Sequence, residues 1–229
     1  MGITRRTFVK ETAATGLILM TGGFSSAFAA DEESIQLLPP QVEGGKFLMQ
    51  VLKARKSVRA FGPEKLPPQV YSNLLWAAHG INRADGKRTS PTGWNKQEMD
   101  VYVATDEGLF LYEPKPHGLK RILKDDIRGI TGTQPYVKTA PFNLIYVADF
   151  SRMAMPTKSF PTLADEEEKT FLSAAASGCI AQNVYLYCTS EGLVTTVRSL
   201  IDRPVLAKAM NLRADQRITL AQAVGYPKK

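Results

Sequence analysis

The feature that most restricts the fold of this chain is an apolar run at residues 142–148, FNLIYVA. Only Asn143 interrupts it. A strand with one face in solvent alternates apolar and polar residues, whereas a strand buried on both faces is apolar nearly throughout. The run therefore predicts a strand in the middle of a sheet.

The segments around this run have the patterns of further strands and helices. Residues 101–104 and 109–112 are β-prone and flank turn residues, which predicts a hairpin, and residues 218–224 predict a final strand. Three helices are predicted: residues 46–54, with Phe47, Leu48, Val51 and Leu52 on one face; a stretch that begins at Pro67 and Pro68 and ends at Gly80; and a long stretch from the acidic residues 165–168 to Ser190.

Length and charge narrow the class of protein. A chain of 229 residues allows one domain with a sizeable core, or two small ones. Its apolar fraction of 44% is that of an ordinary globular protein. The formal net charge is +7, but the basic residues are scattered and do not form runs. Nucleic acid is therefore not favoured as a partner.

Two kinds of cofactor site find no support in the sequence. His79 and His117 have no second His or Cys at metal-ligand spacing, and no glycine-rich phosphate loop of Rossmann or P-loop spacing occurs. We therefore assign no metal ligand. His79 falls in the last turn of the second predicted helix, where an imidazole that faces the helix dipole or is merely exposed is expected, and we assign it no chemistry.

Residues 1–29 have the layout of an export signal. A basic segment, TRRTFVK at residues 4–10, precedes an uncharged stretch that ends in Ala27-Phe28-Ala29. Glycine, serine and threonine interrupt that stretch before it reaches the ~20 residues of a membrane span, so an anchor is the weaker alternative. The paired arginines resemble the twin-arginine signal, whose export machinery carries folded proteins, often with a cofactor inserted. We expect a periplasmic or otherwise exported protein, with residues 30–45 as a leader segment on its surface.

A basic stretch, ARKSVRAF at residues 54–61, lies between the first two predicted helices. If it is extended, alternate side chains share a face, so Arg55, Ser57 and Arg59 point the same way. Two guanidinium groups and a hydroxyl suit a phosphate, because they offer charged, multidentate donors beside a short neutral one. The alternative is a basic turn in solvent.

Four segments, in this order, resemble motifs of the nitroreductase family. They are residues 53–61 (KARKSVRAF), 90–97 (SPTGWNKQ), 178–193 (GCIAQNVYLYCTSEGL) and 225–228 (GYPK). Residues 76–83, WAAHGINR, are similar to the thiazoline-oxidase-like branch. The resemblance covers residues 46–229 as one domain. It implies an α+β fold, with a central, mostly antiparallel sheet flanked by helices, one of them long and central.

The resemblance also implies a bound FMN at the interface of a homodimer. The residues it places around FMN are Arg55, Lys56, Ser57, Arg59 and Lys228 at the phosphate, Thr92, Asn95 and Gln97 at the ring, and Arg198 and Ser199 at its reactive edge. Because the chain stops at Lys229, that lysine is an alternative to Lys228. Without the resemblance, Asn95 would be interpreted as a helix cap and Arg198 as a surface arginine.

The function that the resemblance implies is FMN-dependent oxidation and reduction of a small organic substrate in two steps, with no catalytic acid or base named here. Nitroaromatics, quinones and thiazolines are the substrate classes, and residues 151–163, which carry no recognisable motif, are interpreted as a lid or a substrate wall. NAD(P)H, the usual donor of the family, is not freely available outside the cytoplasm, so a quinol or a partner protein is expected instead. The alternative is a non-enzymatic module of this fold that binds a flavin or another nucleotide.

Overall fold

A computed structural model describes residues 34–154 and 166–229. The predicted export signal and residues 155–163 of the predicted lid or substrate wall lie outside the described residues. The strands of the described chain are β1 Ser34–Gln36, β2 Met99–Thr105, β3 Gly108–Glu113, β4 Gly118–Leu123, β5 Phe142–Asp149, β6 Val194–Arg198 and β7 Gln216–Gly225. The helices are α1 Leu48–Ala54, α2 Pro68–His79, α3 Glu166–Ser190 and α4 Arg203–Ala209.

The strands form one sheet in the order β1-β4-β3-β2-β5-β7-β6, and each neighbouring pair is antiparallel. All eight residues of β5 are buried, so the apolar run lies in the middle of the sheet as predicted. Leu144 and Tyr146 pack in a core with residues of α2 and α3, whereas Ile145 and Val147 pack on the opposite face with residues of α4. The predicted α+β class is confirmed.

Helix α2 begins and ends at the residues that the sequence indicates. Pro68 occupies its first turn, where the missing amide hydrogen costs no helical hydrogen bond. At the other end Gly80 turns to an extended conformation, and its amide donates to the carbonyl of Trp76. The imidazole of His79 is buried, with Nδ1 2.6 Å from Ser90 Oγ, so the expectation of an exposed histidine is wrong.

Helix α3 is the 25-residue central helix that the sequence predicts. Glu166, Glu167 and Glu168 occupy its first turn, where negative charge is favourable beside the helix dipole. Ile180 and Val184 lie on its buried face, against the sheet. Among the helices of residues 34–154 and 166–229, none is long and apolar enough to cross a membrane.

Helix α1 forms with its apolar face largely in solvent. Of the four residues predicted to share that face, only Val51 is buried. Phe47 is 81% exposed, Leu48 61% and Leu52 43%. A single chain therefore leaves this apolar face uncovered.

Candidate functional site

The basic stretch leaves α1 and runs beside strand β6. Arg55 directly follows the helix with φ −55° and ψ 123°, which are extended values. The amide of Val58 donates to the carbonyl of Thr195 in β6, at 3.0 Å. Arg55 is half-buried, whereas Lys56 and Arg59 are exposed.

Arg55 and Ser57 meet at one aromatic side chain, Tyr185 of α3. The guanidinium carbon of Arg55 lies 5.1 Å from the centroid of the Tyr185 ring. The hydroxyl oxygens of Ser57 and Tyr185 are 2.7 Å apart. Two of the three side chains predicted to share a face, Arg55 and Ser57, thus contact one residue, to which sequence reasoning gave no role. The third, Arg59, is exposed, and its predicted convergence with them stays a prediction.

The C-terminal segment lies against the same stretch. Phe61 forms a β-bridge with Pro227, and the amide of Lys228 donates to the carbonyl of Ala60 at 3.4 Å. Lys228 is exposed beside the stretch. Lys229 Nζ lies 3.8 Å from a carboxylate oxygen of Glu64. Of the two C-terminal lysines, Lys228 is therefore the one whose backbone contacts the basic stretch.

The second motif adopts an unusual backbone. Trp94, Asn95 and Gln97 have φ values of 49°, 54° and 50°, the left-handed region that residues other than glycine seldom occupy. Such strain persists where the surroundings impose it, commonly at ligand sites. Here the amide of Gln97 donates to Thr92 Oγ1 at 3.0 Å, and its side-chain oxygen accepts from Arg88 Nε at 3.0 Å.

Asn95 is exposed at the end of a short 3-10 turn, Gly93–Asn95, and the next element along the chain is strand β2. It therefore caps no helix, and the alternative interpretation as a cap is wrong. Its side-chain oxygen accepts a hydrogen bond from Gln97 Nε2 at 3.3 Å. Thr92, Asn95 and Gln97 thus form one hydrogen-bonded group, and their predicted contacts with a flavin ring stay predictions.

Arg198, at the end of β6, is buried rather than on the surface. Its side chain is 5% exposed, and Nη2 donates to Thr131 Oγ1 at 2.7 Å and to Asn143 Oδ1 at 2.8 Å. Burial lowers the pKa of Arg198 to about 10. The surface-arginine interpretation is therefore wrong. The next residue, Ser199, is exposed, and the predicted contacts of both residues with a flavin stay predictions.

Helix α3 connects the segments that carry these residues. Tyr185 Oη accepts a hydrogen bond from the amide of Val197, next to Arg198 and Ser199, at 3.0 Å. Two residues earlier, Asn183 Nδ2 donates to the carbonyl of Thr89 at 3.4 Å, just before the second motif. One rigid element thus positions the basic stretch, the end of β6 and the start of the second motif.

A buried carboxyl group follows the second motif. Glu98 has no exposed surface, so its carboxyl group lies away from water. Burial away from water disfavours the charged form and raises the pKa of Glu98 above its ordinary value of 4.5. The folded chain therefore binds this proton more tightly than the unfolded chain does.

This burial gives a prediction about the pH dependence of stability. Because the folded-state pKa of Glu98 is raised, the contribution of this residue to the free energy of unfolding is most favourable below pH 4.5. That contribution is lost as the pH rises through the folded-state pKa. Glu98→Gln cannot ionise, so its melting temperature should exceed that of the parent chain at about pH 7.5, and the difference should shrink as the pH falls and vanish near about pH 4. Thermal unfolding followed by circular dichroism measures the melting temperatures of the two chains at each pH. The control is Glu43→Gln, at an exposed position; a difference for Glu98→Gln that is constant with pH would contradict the prediction.

Comparison with known proteins decides the family. The model of the Nitroreductase family matches residues 52–226 of the chain. The chain belongs to the nitroreductase family. A nitroreductase-like protein of Methanocaldococcus jannaschii is 31% identical over 176 residues, which span 72% of this chain and 83% of that protein.

Solved structures of the family share the fold. A nitroreductase-like protein of Ralstonia eutropha is 39% identical, with a TM-score of 0.78 over 86% of this chain and 91% of its own. The structure of a Desulfovibrio desulfuricans protein, solved in complex with FMN, is 18% identical, with a TM-score of 0.57 over 81% of this chain and 89% of its own. The second likeness shows the fold alone, which confirms the nitroreductase-like fold of this chain.

Proposed function

We propose that this nitroreductase-family chain is an FMN-dependent oxidoreductase. The observation that carries the proposal is the meeting of Arg55 and Ser57 at Tyr185, with the Lys228 segment alongside. The phosphate of FMN is a compact anion, and arginine, lysine and hydroxyl donors on one surface fit such a group. The donor set of the chain therefore fits the cofactor.

The residues predicted to surround FMN have complementary tasks. Arg55, Lys56, Ser57, Arg59 and Lys228 would hold the phosphate. Asn95 carries both a donor and an acceptor for a pyrimidine edge, with Thr92 and Gln97 as neighbours, and Arg198 and Ser199 would lie beside the reactive edge. When bound, FMN supplies hydride or electron transfer in two alternating half-reactions with small organic substrates of the nitroaromatic, quinone or thiazoline type. The protein supplies binding, orientation and electrostatics.

A homodimer fits the apolar surface of the chain. Around the start of α1, Phe47, Leu48 and Met49 are 81%, 61% and 75% exposed, and on α3 Phe171 is 68% exposed. Leu48 also lines an open cavity of about 440 Å³ between α1, α2 and α3. The three consecutive exposed residues Phe47, Leu48 and Met49 form an apolar surface of the kind that marks interaction sites. A second copy of the chain is the partner we propose for it, with FMN near the contact.

The proposed place of action is outside the cytoplasm, after twin-arginine export and removal of residues 1–29. A donor other than NAD(P)H, such as a quinol or a partner protein, would then reduce the enzyme. The thiazoline-oxidase-like character of residues 76–83 is part of the same proposal. In this segment Trp76 Nε1 donates to the carbonyl of Ile81 at 3.0 Å, which closes the turn after α2.

The visible spectrum of the purified mature chain tests the proposal. We expect a yellow protein that releases FMN on denaturation and is bleached only slowly by NADH without oxygen. Rapid bleaching by NADH would overturn the choice of donor alone. A yellow protein that no quinol reduces, and whose dithionite-reduced form no substrate of the panel reoxidises without oxygen, would instead support the non-enzymatic flavin-binding module. A colourless chain that cannot be reconstituted with FMN would overturn the cofactor.

A further inference from the structure

The hydroxyl of Tyr185 lies between a backbone amide, that of Val197, and a side-chain hydroxyl, that of Ser57. Tyr185 is buried, with 6% of its surface exposed. The amide of Val197 donates to its oxygen at 3.0 Å, and the hydroxyl oxygen of Ser57 lies 2.7 Å away. A backbone amide can only donate, so its bond to Tyr185 has one direction. The bond between the two hydroxyl groups could run either way.

Burial decides the direction of the bond between the two hydroxyl groups. If Ser57 donated to Tyr185, the tyrosine oxygen would accept two hydrogen bonds and its own hydrogen, on a largely buried residue, would need another acceptor. If Tyr185 donates to Ser57, the Val197 amide hydrogen and the Tyr185 hydroxyl hydrogen both have acceptors. The favoured chain therefore runs from the Val197 amide to Tyr185 and from Tyr185 to Ser57.

This direction leaves the hydrogen of the Ser57 hydroxyl available at the surface. Ser57 is exposed, and its oxygen already accepts from Tyr185. A hydroxyl that accepts one strong hydrogen bond is polarised and becomes a better donor. The Tyr185 ring also lies under the Arg55 guanidinium, at a distance typical of a cation–π contact, which holds the charged donor beside the neutral one.

We propose that Tyr185 is a positioning residue that makes Ser57 a dedicated donor to a phosphate ester, so that the chain favours FMN over riboflavin. The inference rests on the proposed FMN function and adds a determinant of which flavin is bound. Tyr185 itself contacts no ligand in this scheme. It acts through Ser57 by its hydroxyl and through Arg55 by its ring.

The test is the affinity of the cofactor-free mature chain for FMN and for riboflavin, which lacks the phosphate. Tyr185→Phe keeps the ring and removes the hydroxyl, so FMN should bind roughly tenfold more weakly, the loss typical of one hydrogen bond to a charged group. Riboflavin affinity should change less than about twofold. The ratio of the two affinities is independent of any unfolded fraction in the sample, because both ligands titrate the same folded chains.

Two further variants distinguish positioning from general destabilisation. Tyr187→Phe is the matched control, because its hydroxyl also lies on α3 but donates to the Val70 carbonyl at 3.0 Å. It should leave the FMN-to-riboflavin ratio unchanged. Ser57→Ala should weaken FMN binding as Tyr185→Phe does, and the double variant should be no weaker than Ser57→Ala alone, because one residue acts through the other.

Each outcome bears on a different claim. An unchanged ratio in Tyr185→Phe, or additive losses in the double variant, would overturn the role of Tyr185 and leave FMN binding intact. Failure of the parent chain to bind either flavin would overturn the proposed function and this inference with it. Equal affinity of the parent chain for both flavins would show that the basic stretch holds no phosphate.

Discussion

Arg55→Glu is expected to weaken FMN binding by roughly a hundredfold or more. Arg55 is the half-buried guanidinium of the proposed phosphate site, held over the Tyr185 ring at 5.1 Å. The change removes hydrogen bonds to a charged group, each worth about 1.5–3 kcal/mol, and places a carboxylate against the phosphate. Since about 1.4 kcal/mol is a factor of ten, losing two such bonds accounts for the expected factor. Titration of the cofactor-free chain, followed by flavin fluorescence, measures it.

Lys53→Glu is the matched control for this charge reversal. Lys53 lies two residues earlier, exposed in the last turn of α1. The Lys53→Glu substitution changes the net charge by the same amount, and solvent screens the new carboxylate charge over about 8 Å at physiological ionic strength. FMN affinity should therefore fall by about threefold or less. Equal losses in the two variants would show that the overall charge of the chain, and not a local site, governs binding. Parent-like binding by Arg55→Glu would place the phosphate elsewhere.

The fold could be predicted where one local pattern decides the structure. The apolar run of β5, the hairpin of β2 and β3, and the proline and glycine at the ends of α2 each carry their signal within a few residues. Strand β1 carries no such signal. It has three residues, Ser34–Gln36, in the segment interpreted as a leader, and it exists because it pairs with β4, over 80 residues away. Pairing at that distance is not visible in a short polar stretch.

In the candidate site, too, the features with a local sequence pattern could be predicted, and those that depend on contacts between distant segments could not. The basic stretch was identified because alternating Arg and Ser residues point to phosphate by their chemistry. Tyr185 was missed because a tyrosine on the apolar face of a helix is typical of a core, and its polar partner Ser57 is 128 residues away in the chain. The burial of Arg198 was missed for a related reason. Its partners Thr131 and Asn143 come from a separate loop and from β5, so only the tertiary structure shows that they meet.

Gly178→Arg is expected to dissociate the proposed homodimer into single chains. Gly178 lies on the exposed side of α3, next to the exposed Ala174 and Ala175. A Cβ atom built at Gly178 has no other atom within 4 Å, so a side chain there meets open space in the single chain. Replacing glycine inside a helix also gains about 1 kcal/mol of helix propensity. The isolated chain should therefore fold at least as well as the parent.

In a dimer that uses this face, the same substitution places a long charged side chain where a partner backbone would approach. Burying an unpaired charge is costly, so we expect the dimer dissociation constant to rise at least a hundredfold, about 2.7 kcal/mol, with loss of FMN. Sedimentation measures the mass, and Gly129→Arg is the control because only the Lys138 side chain lies within 4 Å of its Cβ position. A Gly178→Arg chain that stays dimeric would exclude this face of α3 from the subunit contact. A parent chain that sediments as a monomer and still binds FMN would show that the site needs no second copy.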